Sequence, residues 1–262
     1  MARCSRESGQ SAVETALTLP MMVFFVLGVV QLGMMHQAQL MTEYAAYRAV
    51  RAGIVNHADC EIMRDAAFIS LLPTLPPPLI GAASSRVDTL PRAAALFLQY
   101  RIPGNKRYPL VGLDRVVLEI MNPTKSRLNT LFNSYGSHLD QKEIDYDDIR
   151  NEDVIRANLL TVRITYYYQM RIPFADRLIH GWFMGIERLG HLRGIQFENQ
   201  RVYGVSEQNF LETAGATRGN VFGKLAALAK IQKVYAVPLV ATYSMRMQSN
   251  LFKSGMAGCA IN

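Results

Sequence analysis

The sequence predicts an α+β protein in which a long N-terminal transmembrane helix is followed by an antiparallel sheet packed with helices. Three observations lead to this prediction. The 28 residues between Glu14 and Glu43 include no Asp, Glu, Lys or Arg. The stretch Asn158–Met170 alternates in polarity as a β-strand does, and a second strand-like stretch, Val234–Met247, lies near the end of the chain.

The long helix is centred on Ala16–Met35, which is almost wholly apolar. A helix of about 20 such residues spans the roughly 30 Å hydrocarbon core of a bilayer. The helical pattern continues through Ala45 and Ala49 until Gly53 supplies a stop signal. We therefore expect one helix of about 40 residues, with only its first half in lipid. A removed signal peptide is disfavoured because the apolar run is long and lacks a small-x-small cleavage site.

Two further helices are expected before the sheet. Residues 58–72 have helical spacing, and the proline-rich Pro73–Pro78 ends that helix. The side chains that can share one of its faces are Ile62, Ala66, Ile69 and Leu72. Asp88 or Thr89 can cap the second helix, which runs to about Tyr100 and is followed by a turn at Pro103–Asn105.

The sheet is expected to begin at Arg115–Met121, a strand that Asn122-Pro123 stops. In Asn158–Met170, one face is predicted to consist of Leu160, Val162, Ile164, Tyr166 and Tyr168. A short helix, Ala175–Ile186, should place Trp182 on its buried side, and Ile195–Tyr203 is a possible further strand. Pro238, near the start of Val234–Met247, is typical of an edge strand.

The start of the long helix resembles the processing site of type IV pilin-like proteins. Gly9 is followed five residues later by Glu14, immediately before the apolar run. The stretches Gly9–Pro20, Ala45–Ala52 and Tyr243–Gln248 resemble the TadE-type minor pilins, or pseudopilins, of tight-adherence secretion systems. Thr15 departs from this pattern, since those proteins usually carry an aromatic residue after the Glu.

The resemblance implies three segments: a prepilin leader at residues 1–9, a transmembrane and assembly helix at residues 10–53, and an extracytoplasmic α+β domain at residues 54–262. A prepilin peptidase would cut after Gly9, so that Gln10 becomes the new amino terminus. Glu14 would then pair with the terminal amine of a neighbouring subunit. Gly28 and Gly33 would permit close packing of the helix against a partner pilin.

The resemblance also implies a location and a set of partners. The expected location is the bacterial inner membrane, with a single pass, a cytoplasmic N-terminus, a periplasmic domain and incorporation into an extracellular pilus. The partners would be other pilin or pseudopilin subunits, the prepilin peptidase and inner-membrane lipid. The main alternative is a membrane-anchored periplasmic domain that binds a partner and is never polymerised. An anchored enzyme is the third reading.

The three cysteines allow one disulfide in an exported chain. Cys4 would leave with the leader, so that Cys60 and Cys259 remain. An even count permits a bridge in an oxidising compartment, and two unrelated thiols are the alternative.

No residue pattern predicts catalysis, a metal site or a cofactor. The formal charge is +7, but the basic residues are scattered singly, so nucleic-acid binding is not expected. The acidic stretch Asp140–Asp153 lacks the Gly and Glu that close a calcium loop. Gly219–Leu225 has neither the spacing nor the hydroxyl residue of a phosphate loop. We therefore predict a structural protein and not an enzyme.

Overall fold

The computed structural model describes residues 7–78, 88–108, 111–134, 143–149, 151–193, 221–252, 256 and 259–261. The chain divides into two compact units, one made of residues 1–37 with 170–198 and the other of residues 38–169 with 199–262. Among the described residues the helices are α1 (Glu7–Val55), α2 (Cys60–Leu71), α3 (Leu90–Arg101), α4 (Pro103–Lys106), α5 (Lys125–Ser134), α6 (Glu152–Ala157), α7 (Ala175–Arg193) and α8 (221–232). The strands are β1 (Arg107–Tyr108), β2 (Leu113–Asp114), β3 (Val116–Asn122), β4 (Glu143–Ile144), β5 (Leu159–Gln169), β6 (Ala236–Arg246), β7 (Leu251–Phe252) and β8 (Ala260–Ile261).

The predicted long helix is confirmed as α1, which has 49 residues. Gly53 does not end it, because the helix continues to Val55. The chain then turns through His57 and Ala58, whose φ angles of 54° and 57° lie in the left-handed region. Asp59 begins α2 by accepting hydrogen bonds on its carboxylate from the N–H groups of Glu61 and Ile62.

The main sheet has the strand order β6-β5-β3-β8. The pairs β6–β5 and β5–β3 are antiparallel, as predicted, while the two-residue β8 joins β3 in parallel. Pro238 lies in the edge strand β6, where a residue without an N–H group is tolerated. Two small ribbons, β1–β2 and β4–β7, accompany the sheet.

One face of the sheet carries the predicted apolar side chains of β5, and all five of them are buried. The Tyr166 hydroxyl on this face donates to the carbonyl of Thr74 at 2.8 Å, so the proline-rich segment after α2 covers it. The second half of α1 also lies on this face. The Tyr47 ring meets that of Tyr243 edge-on at 5.3 Å, and the Gln39 amide donates to the carbonyl of Val240 at 3.2 Å.

The opposite face of the sheet is also covered. Tyr167 packs in a cluster with Tyr108, Leu113 and two leucines of α8. The Tyr108 hydroxyl donates to the carbonyl of Tyr167 at 2.9 Å, and burial raises the pKa of both tyrosines to about 12. Farther along β5, the Arg163 guanidinium donates from Nε to Oε2 of Glu119 at 2.8 Å. Both faces of β5 are therefore buried, which the alternating pattern alone did not predict.

The predicted buried side of α7 was wrong, and the predicted apolar face of α2 is only partly buried. In α2, Ile62 and Ile69 are 42% and 48% exposed, whereas Leu72, immediately after the helix, is buried. The buried residues within the helix are Cys60, Met63, Ala67, Phe68, Ser70 and Leu71. The sequence of α2 offers apolar residues on two sides, and contacts with α1 and with Cys259 decide between them. Trp182 is 71% exposed, and its helix α7 extends beyond Ile186 to Arg193. The strand predicted at residues 195–203 lies outside the described residues.

A close approach between α1 and its neighbours depends on Gly53. A Cβ atom on Gly53 would lie 2.5 Å from Sδ of Met63 and 2.8 Å from Cδ2 of Leu160. Both of these side chains are fully buried, so each would have to shift within the core to admit a methyl group.

We therefore predict that Gly53→Ala lowers the free energy of unfolding by about 1–3 kcal/mol, the usual cost of overpacking a core. Denaturant titration of the detergent-solubilised protein would measure this. The matched control is Gly223→Ala, because a Cβ there meets nothing within 4 Å. Alanine is the better helix former, so this control should be neutral or stabilising. Equal effects of the two substitutions would show that the space around Gly53 is not limiting.

Candidate functional site

The candidate site is the first half of α1, whose apolar side chains are exposed. Residues 11–55 include a helix long and apolar enough to cross a membrane, with a mean hydropathy of 2.0 in its best window. None of that window is buried inside the chain. A length and composition of this kind support membrane anchoring.

One side of this helix carries Glu14 together with large apolar side chains. Leu17, Met21 and Phe25 are 71%, 76% and 72% exposed. Helical geometry of about 100° per residue places these three residues within one stripe that also includes Glu14 and Gly28. Gly33 falls on a different side of the helix by the same geometry.

The hydroxyls of Thr15 and Thr18 in this half of α1 are satisfied within the helix. The hydroxyl of Thr15 donates to the carbonyl of Ser11 at 2.8 Å, and that of Thr18 donates to the carbonyl of Glu14 at 2.9 Å. Such bonds to the preceding turn remove the cost of placing a hydroxyl in lipid. Glu14 is the only Asp, Glu, Lys or Arg between Ser8 and Thr42. Its exposed carboxylate is therefore the distinguishing charge of the stripe.

The other residues predicted from the sequence lie in the same helix. Gly9 and Gln10 fall within the first turns of α1. A Cβ added at Gly28 or at Gly33 would meet no atom within 4 Å. Within the described part of the chain, neither glycine is required for packing, so their contact with a partner helix stays a prediction.

The end of α1 is joined to the C-terminal part of the chain. The carbonyl of Ile54 accepts hydrogen bonds from the N–H of Gln248 at 3.1 Å and from the hydroxyl of Ser249 at 2.9 Å. The Ser249 oxygen also accepts from the N–H of His57 at 3.0 Å, and the His57 ring stacks on Phe252 at 4.1 Å. These bonds supply a partner for a carbonyl that the helix end leaves open.

Cys60 and Cys259 meet beside this joint. Their Sγ atoms are 1.91 Å apart and their Cα atoms 5.6 Å apart, across a sequence separation of 199 residues. Sequence reasoning proposed this pair but missed the hydrogen-bonded joint next to it. No periodic pattern could have shown it, because His57 and Ser249 are 192 residues apart.

Comparison with known proteins identifies the N-terminal segment. The model of the family described as TadE-like protein matches residues 9–51. The match begins at Gly9 and covers α1 almost to its end, so the resemblance inferred from the sequence is confirmed over this segment. No curated protein and no solved structure matches the chain significantly.

We predict that breaking the Cys60–Cys259 pair destabilises the domain strongly. Closing a loop across 199 residues lowers the entropy of the unfolded chain, which raises the free energy of that state by about 5 kcal/mol in the chain-entropy model. Cys60→Ser with Cys259→Ser should lower the unfolding midpoint in denaturant. Mass spectrometry after thiol alkylation of the unreduced, exported protein should find neither cysteine labelled. Two labelled thiols would contradict a bridge.

Proposed function

We propose that the chain is a pilin-like structural and assembly component of a tight-adherence pilus or of a related secretion machine, processed by a prepilin peptidase. One observation carries this proposal: the TadE-like match at residues 9–51 falls on a helix whose first half exposes its apolar side chains. The TadE-like family is structural and not enzymatic, which agrees with the lack of any catalytic pattern in the sequence.

The exposed half of α1 needs an apolar environment. In a membrane that environment is lipid, and in a filament it is the corresponding helices of neighbouring subunits. The second half of α1 is part of the domain, where Ala45, Ala46 and Ala49 are fully buried. A subunit of this kind can exchange lipid for protein around its first half while its domain keeps the same packing.

The carboxylate of Glu14 can favour the replacement of lipid by a neighbouring subunit. Cleavage after Gly9 would create an amine at Gln10, four residues before Glu14 and about 6 Å from it along the helix. The carboxylate of one subunit and the amine of the next are each costly in lipid, whereas together they form a charge-assisted hydrogen bond. Gly28, on the same side of α1, would let the neighbouring helix approach closely.

This proposal divides the chain into the leader at residues 1–9, the assembly helix at residues 10–53 and the periplasmic domain at residues 54–262. The partners are other pilin or pseudopilin subunits, and the prepilin peptidase acts at the cytoplasmic face of the inner membrane. Residues 52–262 lie outside the family match, so the external partner of the domain is not part of the proposal.

Processing provides the first test. The mature chain should begin at Gln10, and Gly9→Leu should leave the precursor uncut because a bulky side chain replaces the only glycine beside the cleaved bond. Peptide mass mapping of the membrane-extracted protein would identify the terminus. Cells that lack the peptidase serve as the control and should retain residues 1–9. Recovery of Met1 or Ala2 from cells with active peptidase would contradict cleavage.

Assembly provides the second test, through Glu14→Gln. This change keeps the size of the side chain but removes its charge, so insertion should not suffer. The neighbour's amine would lose its partner, at a cost on the order of 3 kcal/mol or more. We expect a processed protein that stays in the membrane and no longer co-purifies with pili or partner pilins.

The matched control for this test is Glu43→Gln. Glu43 is exposed in the second half of α1, where its carboxylate accepts a hydrogen bond from Gln39 at 3.3 Å. Its substitution should leave assembly intact. If both variants assemble equally well, Glu14 has no special role and the chain is a membrane-anchored domain that is not polymerised.

A further inference from the structure

A second exposed apolar surface lies on α7, in the same compact unit as the first half of α1. Phe174, immediately before the helix, and Leu178 and Trp182 within it are 58%, 69% and 71% exposed. The four-residue spacing of Leu178 and Trp182 places them along one side of the helix. His180, on the opposite side of the helix, is buried, and so is Ala175 in the first turn. The described part of the chain therefore does not cover the most apolar side of α7.

The start of α7 is fixed to α1 by two contacts. The ring of Phe174 meets that of Phe24 edge-on, with 5.6 Å between the centroids. The side-chain oxygen of Gln31 accepts hydrogen bonds from the N–H groups of Arg171 at 3.3 Å and Ile172 at 3.0 Å. Gln31 is fully buried, so these bonds are protected from water. The apolar surface of α7 is thus continuous with the exposed surface of α1 at Phe24.

The positions of Glu14 and Gln31 match the two edges of a bilayer. Gln31 is seventeen positions after Glu14, which is about 26 Å of helix at 1.5 Å per residue, close to the roughly 30 Å of a hydrocarbon core. If the carboxylate of Glu14 lies at one edge, the amide of Gln31 lies at the other. The start of α7 then lies at that second edge.

We propose that α7 lies in this membrane–water interface, with Phe174, Leu178 and Trp182 among the acyl chains. The exposed Arg171 and Arg177 lie beside this surface, at the level of the anionic headgroups. Helices that lie in an interface combine Trp, Phe and Leu on one side with Arg or Lys nearby, and they insert about 5–10 Å. Phe24 is about 10 Å deeper than Gln31 along α1, which agrees with that depth.

This inference goes beyond the proposed function. It needs only that α1 crosses a membrane, and it makes no use of cleavage or polymerisation. Tryptophan is the side chain most typical of membrane interfaces, and Trp182 is the only tryptophan of the chain. Its fluorescence therefore reports on α7 alone.

The test uses the full-length chain reconstituted in vesicles of phosphatidylcholine and phosphatidylglycerol. Brominated lipids, which quench tryptophan on contact, would carry the bromine either near the headgroup end or near the methyl end of the acyl chain. We expect the emission of Trp182 to be shifted to the blue relative to denatured protein. We also expect bromine near the headgroups to quench it more strongly than bromine near the bilayer centre.

The variant Leu178→Asp should weaken this quenching and shift the emission to the red, because a charge beside Trp182 opposes its insertion. The matched control is Leu98→Asp on α3, which is 62% exposed in the other unit and should change neither quantity.

Three results would overturn the inference. Emission typical of water without quenching would show that α7 lies outside the membrane. Blue-shifted emission without quenching would show that protein, such as a second copy of the chain, covers the surface. Stronger quenching from the bilayer centre would show insertion deeper than the interface. The fluorescence experiment measures neither processing nor pilus assembly. Its outcome is therefore independent of the outcome of the Glu14→Gln test.

Discussion

The close packing of the second half of α1 against the sheet is the contact on which the domain depends. Ala38, Ala45, Ala46 and Ala49 are fully buried, so this half of α1 is part of the core. At Gly53 even a methyl group would overlap Met63 and Leu160. The helix is therefore an element of the core and not a tether that leads to it. The same 49-residue helix carries the exposed apolar run, so one element serves two environments.

The joint between the end of α1 and the C-terminal segment reinforces this packing. Hydrogen bonds at Ile54 and His57 each contribute about 1 kcal/mol, and they satisfy groups that a buried helix end would otherwise leave open. The Cys60–Cys259 pair acts instead through the unfolded state, by closing a long loop. The two effects are complementary because the hydrogen bonds stabilise the folded state, whereas the disulfide reduces the number of conformations open to the unfolded chain. In the proposed filament, a force on α1 would enter the domain through this joint and the alanine packing.

Sequence reasoning succeeded where a local pattern determines the structure. The charge-free run predicted α1, alternation predicted β5, and Pro238 predicted an edge strand. It failed where the choice depends on a distant partner. The sequence of α2 has apolar residues on two sides, and only the contacts of Met63 and Cys60 show why Ile62 and Ile69 are the exposed ones. In the candidate site, the spacing of Gly9 and Glu14 could be recognised in the sequence. That Glu14 and Gly28 lie on the same side of α1 could be stated only once the helix was known to be continuous between them.

Trp182 illustrates a different limit of sequence reasoning. A large apolar residue was expected to be buried, but that expectation holds only when water is the sole solvent. Burying a Leu or Phe side chain contributes about 1.5–3 kcal/mol, and lipid provides this gain as well as a protein core does. The three exposed side chains beside Phe24 would give a few kcal/mol in total. Alone this is a weak anchor, but α1 already holds α7 next to the bilayer, so little further entropy of association is lost. The surface of α7 therefore needs only to orient the helix in the interface, and three side chains are enough for that task.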